Sequence, residues 1–371
     1  MAGKNKSPLD SFDHVVVLML ENRSFDNLLG YLYEDGVPSG KHFAGLQDGK
    51  FSNPIPKGAK GAEKKKVILT QASDHHQPFP DPGEEYQHIN TQLFNHIDEA
   101  NIAKPAIKMV APFNLPSNPP AVPPMEGFVN DYINTFNAME NSDYHDPKYE
   151  QYKVIMQVFK PEQVPVISTL AKQFSVFDHW HCSVPTQTWS NRAFWHAATS
   201  GGFVINPTGE DDESCLENIV GMVQWVKEMW IKPTLFTRLK QKGISNTIYT
   251  HDVFSLTNLI HGLGSTTKFS SSIKSFYKDL QSDDFPKYSF IEPKFLGKHN
   301  DQHPSTVTHK TQAGTVLLGE KLIYDVYTAI KNSEKYRDKT LDGTMAGGPM
   351  YDRETRLNMK WLAVDCVIAH G

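Results

Sequence analysis

Three short stretches carry residue types that could act on one substrate together. The first is Glu21-Asn22-Arg23-Ser24-Phe25-Asp26. A carboxylate beside an amide offers one hard-oxygen metal ligand and one neutral donor or ligand. Arg23 can pair with Asp26 or meet an anion. The plainer account of the same residues is a helix start capped by Ser24 or Asn22. The second stretch is Thr188 with Trp189, Ser190, Asn191 and Arg192. A hydroxyl at a helix start meets the positive end of the helix dipole. Near a metal it loses its proton more readily, which makes it a candidate nucleophile on phosphorus. Thr is also a common N-cap, so this signal is weak alone. The third stretch, His299-Asn300-Asp301-Gln302-His303, precedes Pro304. It has the residues to bind a metal or protonate a leaving oxygen, and equally those of a polar surface turn.

The chain holds sixteen histidines, so any single one carries little weight. Asp74-His75-His76 and His179-Trp180-His181 form similar clusters, and the second flanks the Thr188 loop. There is no Walker loop, no GxGxxG after a strand, no HExxH and no GxSxG, which removes most nucleotide-binding, zincin and esterase readings.

These residues need a frame. His14 to Leu20 is a continuous β-branched apolar run, as expected of a strand buried on both faces of a parallel sheet. Glu21 follows it directly, at the carboxyl edge where open α/β sheets place ligands. Val164, Ile167, Leu170 and Phe174 fall at helical spacing. Ser175-Val176-Phe177 then reads as a short buried strand, and a polar loop leads into a helix near Asn191. Helices are also expected over 94–101, 128–139, 235–242 and 319–332, and strands from 246 and 288. Residues 36–73 read as an excursion rich in Gly, Lys and Pro. Seven prolines between 104 and 124 exclude regular helix or a central strand there. Alternating strands and helices give an α/β fold with a mainly parallel sheet and helices on both faces.

Composition narrows the function. At 371 residues with a formal net charge of −5 of mixed sign, the chain lacks the basic stripe of a nucleic-acid binder. Lys64-Lys65-Lys66 reads as a solvated loop rather than a lipid contact. Cys182, Cys215 and Cys366 show no paired spacing, so three free thiols are the simple reading. No transmembrane segment or secretory h-region is present, which makes cytoplasmic the default and leaves non-classical export open. Trp225, Trp230 and Phe236, with the Pro-rich segment, are read as core packing in preference to a membrane-surface patch.

Taken together, the motifs resemble the phosphoesterase family of phospholipases C and acid phosphatases, within the alkaline-phosphatase-like superfamily. HVVVLMLENRSFDNLLGYL looks like that family's opening signature. VPVISTLAKQFSVFDHWHCSVPTQTWSNRAFWHAATSGG looks like its helix, strand and nucleophile loop. NDQHP and GEKLIYDVYTAIKNSEKYRDKTL match further on. The resemblance implies an alkaline-phosphatase-like fold over residues 1–341, with loop insertions near 36–73 and 104–124, and an atypical tail over 342–371. It implies hydrolysis of a phosphate ester or phospholipid with a divalent metal ion. Glu21 and Asn22 would hold the metal, Thr188 would be the nucleophile and His303 an active-site histidine. Asn22, Asn191 and Arg192 would form the phosphate- or substrate-binding set, the last two shaping the loop.

Two departures stand out. Many family members carry a histidine shortly after an Asp-Pro; in this chain Glu84 stands near that place, and His88 lies a helical turn further on. After KYRDKTL the family continues through a buried strand to an adjacent Asp and Glu. Here Thr344 and Met345 take the place of that pair, and the strand before them is missing. Gly347-Gly348 and Tyr351-Asp352 only echo the motif. The C-terminal part of the fold is therefore expected to be missing or altered. The alternative function is a catalytically inactive family member that binds phosphate esters, with Asp342 or Asp352 the remaining candidates to reach Glu21.

Overall fold

The computed structural model describes residues 12–46, 50–207, 215–263, 270–304, 306–308, 311–337, 340–346 and 364–366. Its centre is a six-stranded sheet. We label its strands β1 (His14–Leu20), β2 (Asn246–Thr250), β3 (Ser270–Ser272), β4 (Tyr288–Glu292), β5 (Thr340–Ala346) and β6 (Val364–Cys366). Their spatial order is β6-β5-β1-β4-β2-β3, and every neighbouring pair is parallel except β5 with β6.

The strand β1 lies inside this sheet and explains its own sequence. Val16, Leu18 and Leu20 face one core with Phe25, Ile167, Leu322 and Ile323. Val17 and Met19 face a second core with Phe236, Ile248 and Phe290. Both faces are covered, so the run has no polar alternation. A third apolar cluster ties Ile55 and Val67, on a short antiparallel ribbon, to Val129, Tyr132 and Phe136. The expected excursion over 36–73 is thus in part a packed ribbon.

The helices that matter for the site are α1 (Phe25–Leu29), α2 (Tyr86–Phe94), α3 (Phe128–Ala138), α4 (Pro165–Gln173), α5 (Thr188–Ala197) and α6 (Val316–Lys331). The α4 helix begins at a proline, whose missing N–H costs nothing there. Glu320 of α6 closes its open end, accepting from Val166 N at 2.6 Å and Ile167 N at 3.2 Å. The expected helix over 94–101 is corrected: α2 ends at Phe94, because Asn95 turns left-handed at φ 51° and stops it.

Two strand expectations are also corrected. Ser175-Val176-Phe177 is not a strand; Phe174 packs on Tyr327 and Phe177 is half-exposed. Three residues offer little pairing, and both neighbours of β1 are already occupied by β4 and β5. Conversely, the strand expected to be missing before Thr344 is present. Thr340–Ala346 pairs with β1 in parallel over seven residues, from His14↔Thr340 to Leu20↔Ala346. Asp342 and Gly343 obscure its pattern, and pairing beside a central strand overrides that weak propensity. Asp342 sits opposite Val16, several residues down the strand from Glu21. Gly347-Gly348 and Tyr351-Asp352 lie outside the described residues, as do the side chains of Cys215 and Cys366. Cys182 is a free thiol.

Trp225 and Phe236 are fully buried, whereas Trp230 is partly exposed. No helix among the described residues is long and apolar enough to cross a membrane.

Candidate active site

The carboxyl ends of β1 and β4 lie side by side, and their loops build the floor of the site. Glu21, the first residue after β1, donates its backbone N–H to Asp301 O at 2.7 Å. Asp301 in turn organises its own loop. Its Oδ1 lies 2.6 Å from His299 Nδ1 and accepts from His303 N at 2.9 Å. Arg23, fully buried, donates through Nε to Gln302 O and through Nη1 to Asn27 Oδ1 and Gln77 O. The His299–His303 stretch is therefore no surface turn but a buttressed loop locked to the end of β1. Ser24 caps α1, accepting from Asn27 N at 3.1 Å. The plain capping reading thus holds for Ser24 while Glu21 and Asn22 are used otherwise.

Thr188 is the first residue of α5, with Gln187 as N-cap. Its hydroxyl caps nothing. Oγ1 donates to Glu21 Oε2 at 2.6 Å. One turn along the same helix, Arg192 donates from Nε to Glu21 Oε1 at 2.7 Å. A second donation runs from Nη2 to the same oxygen, and Nη2 also reaches Met19 O at 3.1 Å. Glu21 and Arg192 are both buried. Burial pushes the Glu21 carboxyl above its ordinary value, and Arg192 and Thr188 counter this only in part.

Asn22, at a left-handed φ of 45°, links Thr188 to a second cluster. Its Nδ2 lies 3.5 Å from Thr188 Oγ1 and 3.0 Å from His303 Nε2, and it donates to Glu84 Oε2. His303 stands between two carboxylates, with Nδ1 3.4 Å from Asp81 Oδ2 and Nε2 3.4 Å from Glu84 Oε2. Burial alone would lower the His303 pKa. The charges of Asp81, Glu84 and Asp301 outweigh it and hold the imidazole well above the usual histidine range. One ligand atom from each of Asp81, Glu84 and His303 falls within 4.8 Å of the others. Two carboxylate oxygens and one imidazole nitrogen suit a divalent cation.

Asp81 and Glu84 are the residues that reading the sequence missed. The turn bearing them is held from behind. Gly83 O accepts from Gln92 at 2.8 Å, Pro80 O from Tyr132 at 2.6 Å, and a Cβ on Gly83 would overlap the His88 imidazole. His88 itself is fixed by Asp131 at 2.8 Å, so it supports the turn and does not enter the cluster. Of the remaining expected residues, Asn191 spends its amide on the loop before α5. Its Oδ1 accepts from Val184 N, and its Nδ2 donates to Val184, Thr186 and Gln187 carbonyls. Asn191 thus bonds to the loop before α5, whereas the bonds of Arg192 run to Glu21 and Met19 O. His76 pairs with Asp74 and His179 with Asp178, while the His75 ring stacks on Phe159.

A mainly parallel sheet with an acid–histidine cluster and a helix-start hydroxyl at its carboxyl edge defines an alkaline-phosphatase-like α/β protein. The chain belongs to the phosphoesterase family, whose model matches residues 12–341. It is 29% identical over 341 residues to non-specific phospholipase C1 of Arabidopsis thaliana, covering 88% of this chain and 50% of that protein. It is 27% identical over 350 residues to non-specific phospholipase C3 of the same plant, covering 91% and 54%. The chain spans about half the length of the relatives it matches.

Proposed function

We propose that the protein hydrolyses phosphoric esters with Thr188 as nucleophile and with a divalent metal ion held by Asp81, Glu84 and His303. The observation that carries this is the 2.6 Å bond from Thr188 Oγ1 to Glu21 Oε2, beside that cluster. The raised affinity of buried Glu21 for a proton suits it to accept the Thr188 hydroxyl proton as the oxygen attacks phosphorus. Arg192 holds the carboxylate in place for that transfer. The metal would offset phosphate charge and polarise the ester. Asn22 spans both groups and is placed to orient a phosphoryl oxygen between them. The names of its relatives favour a phospholipase C type of ester over an acid phosphatase substrate.

The resemblance gives Glu21 a direct bond to the metal. With Arg192 on one oxygen and Thr188 on the other, we assign it to the nucleophile instead. A second reading, an inactive ester-binding protein, draws on Thr344 and Met345. They lie within β5 where the resemblance calls for an acidic pair. Turnover of p-nitrophenyl phosphate and p-nitrophenylphosphorylcholine decides between the two, with a chelator control and Thr188→Ala alongside. Chelator-sensitive turnover that the variant loses supports hydrolysis. A folded chain that cleaves neither ester supports the inactive form.

A further inference from the structure

The Pro-rich segment after α2 is built inside out. Its polar residues are the buried ones: Asn101 and Asn114 are both inaccessible to solvent. Asn101 donates to Val110 O at 2.9 Å and to Asn114 Oδ1 at 3.0 Å, and accepts from Val110 N at 2.8 Å. Asn114 donates to Thr91 Oγ1 at 2.9 Å. From α2, Gln87 donates to Ala106 O at 2.7 Å and Asn90 to Phe113 O at 2.9 Å. Met109 is buried, and Leu115 packs on Ile89, Leu93 and Phe94.

The branched apolar side chains point the other way. Ile102 is 58% exposed, Val110 48% and Ile107 44%, and Phe113 is exposed as well. The bonds from Asn101 draw Ile102 and Val110 together, and Phe113 N donates to Val110 O at 3.0 Å. Core packing, expected of this stretch, holds for Met109 and Leu115 but not for these four. A rigid backbone thus holds an apolar patch in solvent, which marks an interaction surface.

Charge and composition say what covers it. Between Ala100 and Met125 there are two lysines, Lys104 and Lys108, and no acidic residue, in a chain of net charge −5. The same stretch has no Trp, Tyr or Arg, the residues that dominate the energy of protein–protein contacts. Aliphatic side chains flanked by lysine suit a surface that is apolar beneath and anionic above. Position agrees with this. Ile107 and Lys108 line a cleft of about 690 Å³ that reaches Asp81, Glu84 and Gln187, the residue before Thr188.

We propose that residues 102–113 form a platform that docks on an anionic lipid surface. Ile102, Ile107, Val110 and Phe113 enter the boundary between head groups and acyl chains, and Lys104 and Lys108 meet the anionic head groups. Docking itself does not depend on the hydrolytic reading. Its use does: the cleft then opens from the lipid surface towards Thr188.

The test is sedimentation with phosphatidylcholine vesicles, with and without phosphatidylserine. The full chain carries Thr188→Ala throughout, so that no lipid is consumed. It should pellet with the phosphatidylserine vesicles and bind pure phosphatidylcholine about tenfold more weakly. Ile102→Ser with Val110→Ser should weaken binding to both by about tenfold or more. Lys104→Ala with Lys108→Ala should weaken binding by about tenfold on the anionic vesicles alone. Val253→Ser, which removes a fully exposed valine from the loop after β2, should change neither. Melting curves check that each variant is folded.

A chain that pellets with neither vesicle would overturn the proposal. So would binding that the Ile102 and Val110 substitutions leave intact, or that Val253→Ser weakens as much as they do. A lipid-free dimer that the paired serine substitutions dissolve would assign the patch to a second copy instead. Turnover of p-nitrophenyl phosphate by the unsubstituted chain keeps the two readings apart. Platform-dependent pelleting of a protein that hydrolyses no ester upholds docking and sinks only the hydrolytic reading.

Discussion

Thr188 reaches across from α5 to place its hydroxyl 2.6 Å from Glu21 at the end of β1. Two residues 167 positions apart thereby share a proton at the sheet's carboxyl edge. If that proton moves during catalysis, Thr188→Ala should lower kcat by about a thousandfold or more without changing the thermal midpoint by more than a few degrees. Thr188→Ser should recover a measurable part. Steady-state kinetics with p-nitrophenyl phosphate, beside a melting curve, make the comparison; full activity in the Ala variant sinks the nucleophile assignment.

Removing the arginine from the buried Glu21–Arg192 pair leaves an uncompensated carboxylate. Arg192→Met should therefore destabilise the chain by about 3–5 kcal/mol in a urea titration. The neutral pair Glu21→Gln with Arg192→Met should regain part of that loss. A single variant as stable as the parent would show that the pair contributes nothing.

Metal content addresses the second cluster. Asp81→Asn and Glu84→Gln should each weaken binding of Mn²⁺ or Zn²⁺ by about tenfold or more, measured by calorimetry on chelator-stripped protein. Unchanged binding in both variants removes the cluster from consideration as a metal site.

Gly83 lies between those two carboxylates, against the ring of His88. Gly83→Ala should displace the turn and lower kcat/KM by about tenfold or more, with metal affinity falling alongside. His88→Ala in the Gly83→Ala background should restore part of both, because it removes the obstructing ring. If the double variant is no better than the single one, the contact does not position the turn.

A pH effect is expected away from the site. Burial pushes Glu320 from 4.5 to about 7 in the folded chain, against its bonds from Val166 and Ile167. The folded state therefore holds this proton more tightly than the unfolded state. The resulting stabilisation is fully present below about pH 4.5 and is lost as the pH rises towards 7. Glu320→Gln should remove up to about 3 kcal/mol of that downward slope between pH 4.5 and 7. Urea midpoints of both proteins at pH 5 and pH 8 give the difference; identical slopes would refute it.

Much of this was legible before any coordinates. His14–Leu20 declares itself because both of its faces are buried, and Glu21, Thr188 and His303 lie in motif-bearing stretches that the fold does bring together. Other parts were hidden for physical reasons. Asp-Pro-Gly-Glu reads as a surface turn, and only bonds from distant Gln92 and Tyr132 carry it into the site. Its one sequence signal is Glu84 standing near the place where the resemblance calls for a histidine. The strand over Thr340–Ala346 was hidden by Asp342 and Gly343, since its extended form depends on the neighbour it pairs with. The run Ser175–Phe177 erred in the opposite direction, because a local apolar pattern says nothing about whether a sheet position is vacant.

The pairing of β1 with β5 has a consequence for how the molecule comes into being. The neighbour of His14 is Thr340, so the inner seam of the sheet closes only after more than three hundred residues have been made. Until then β1 has an unsatisfied edge and the most apolar run in the chain. Contacts of such separation fold slowly and expose aggregation-prone surface in the interval. A nascent chain stalled before residue 340 should therefore bind chaperones through the very segment that later carries Glu21.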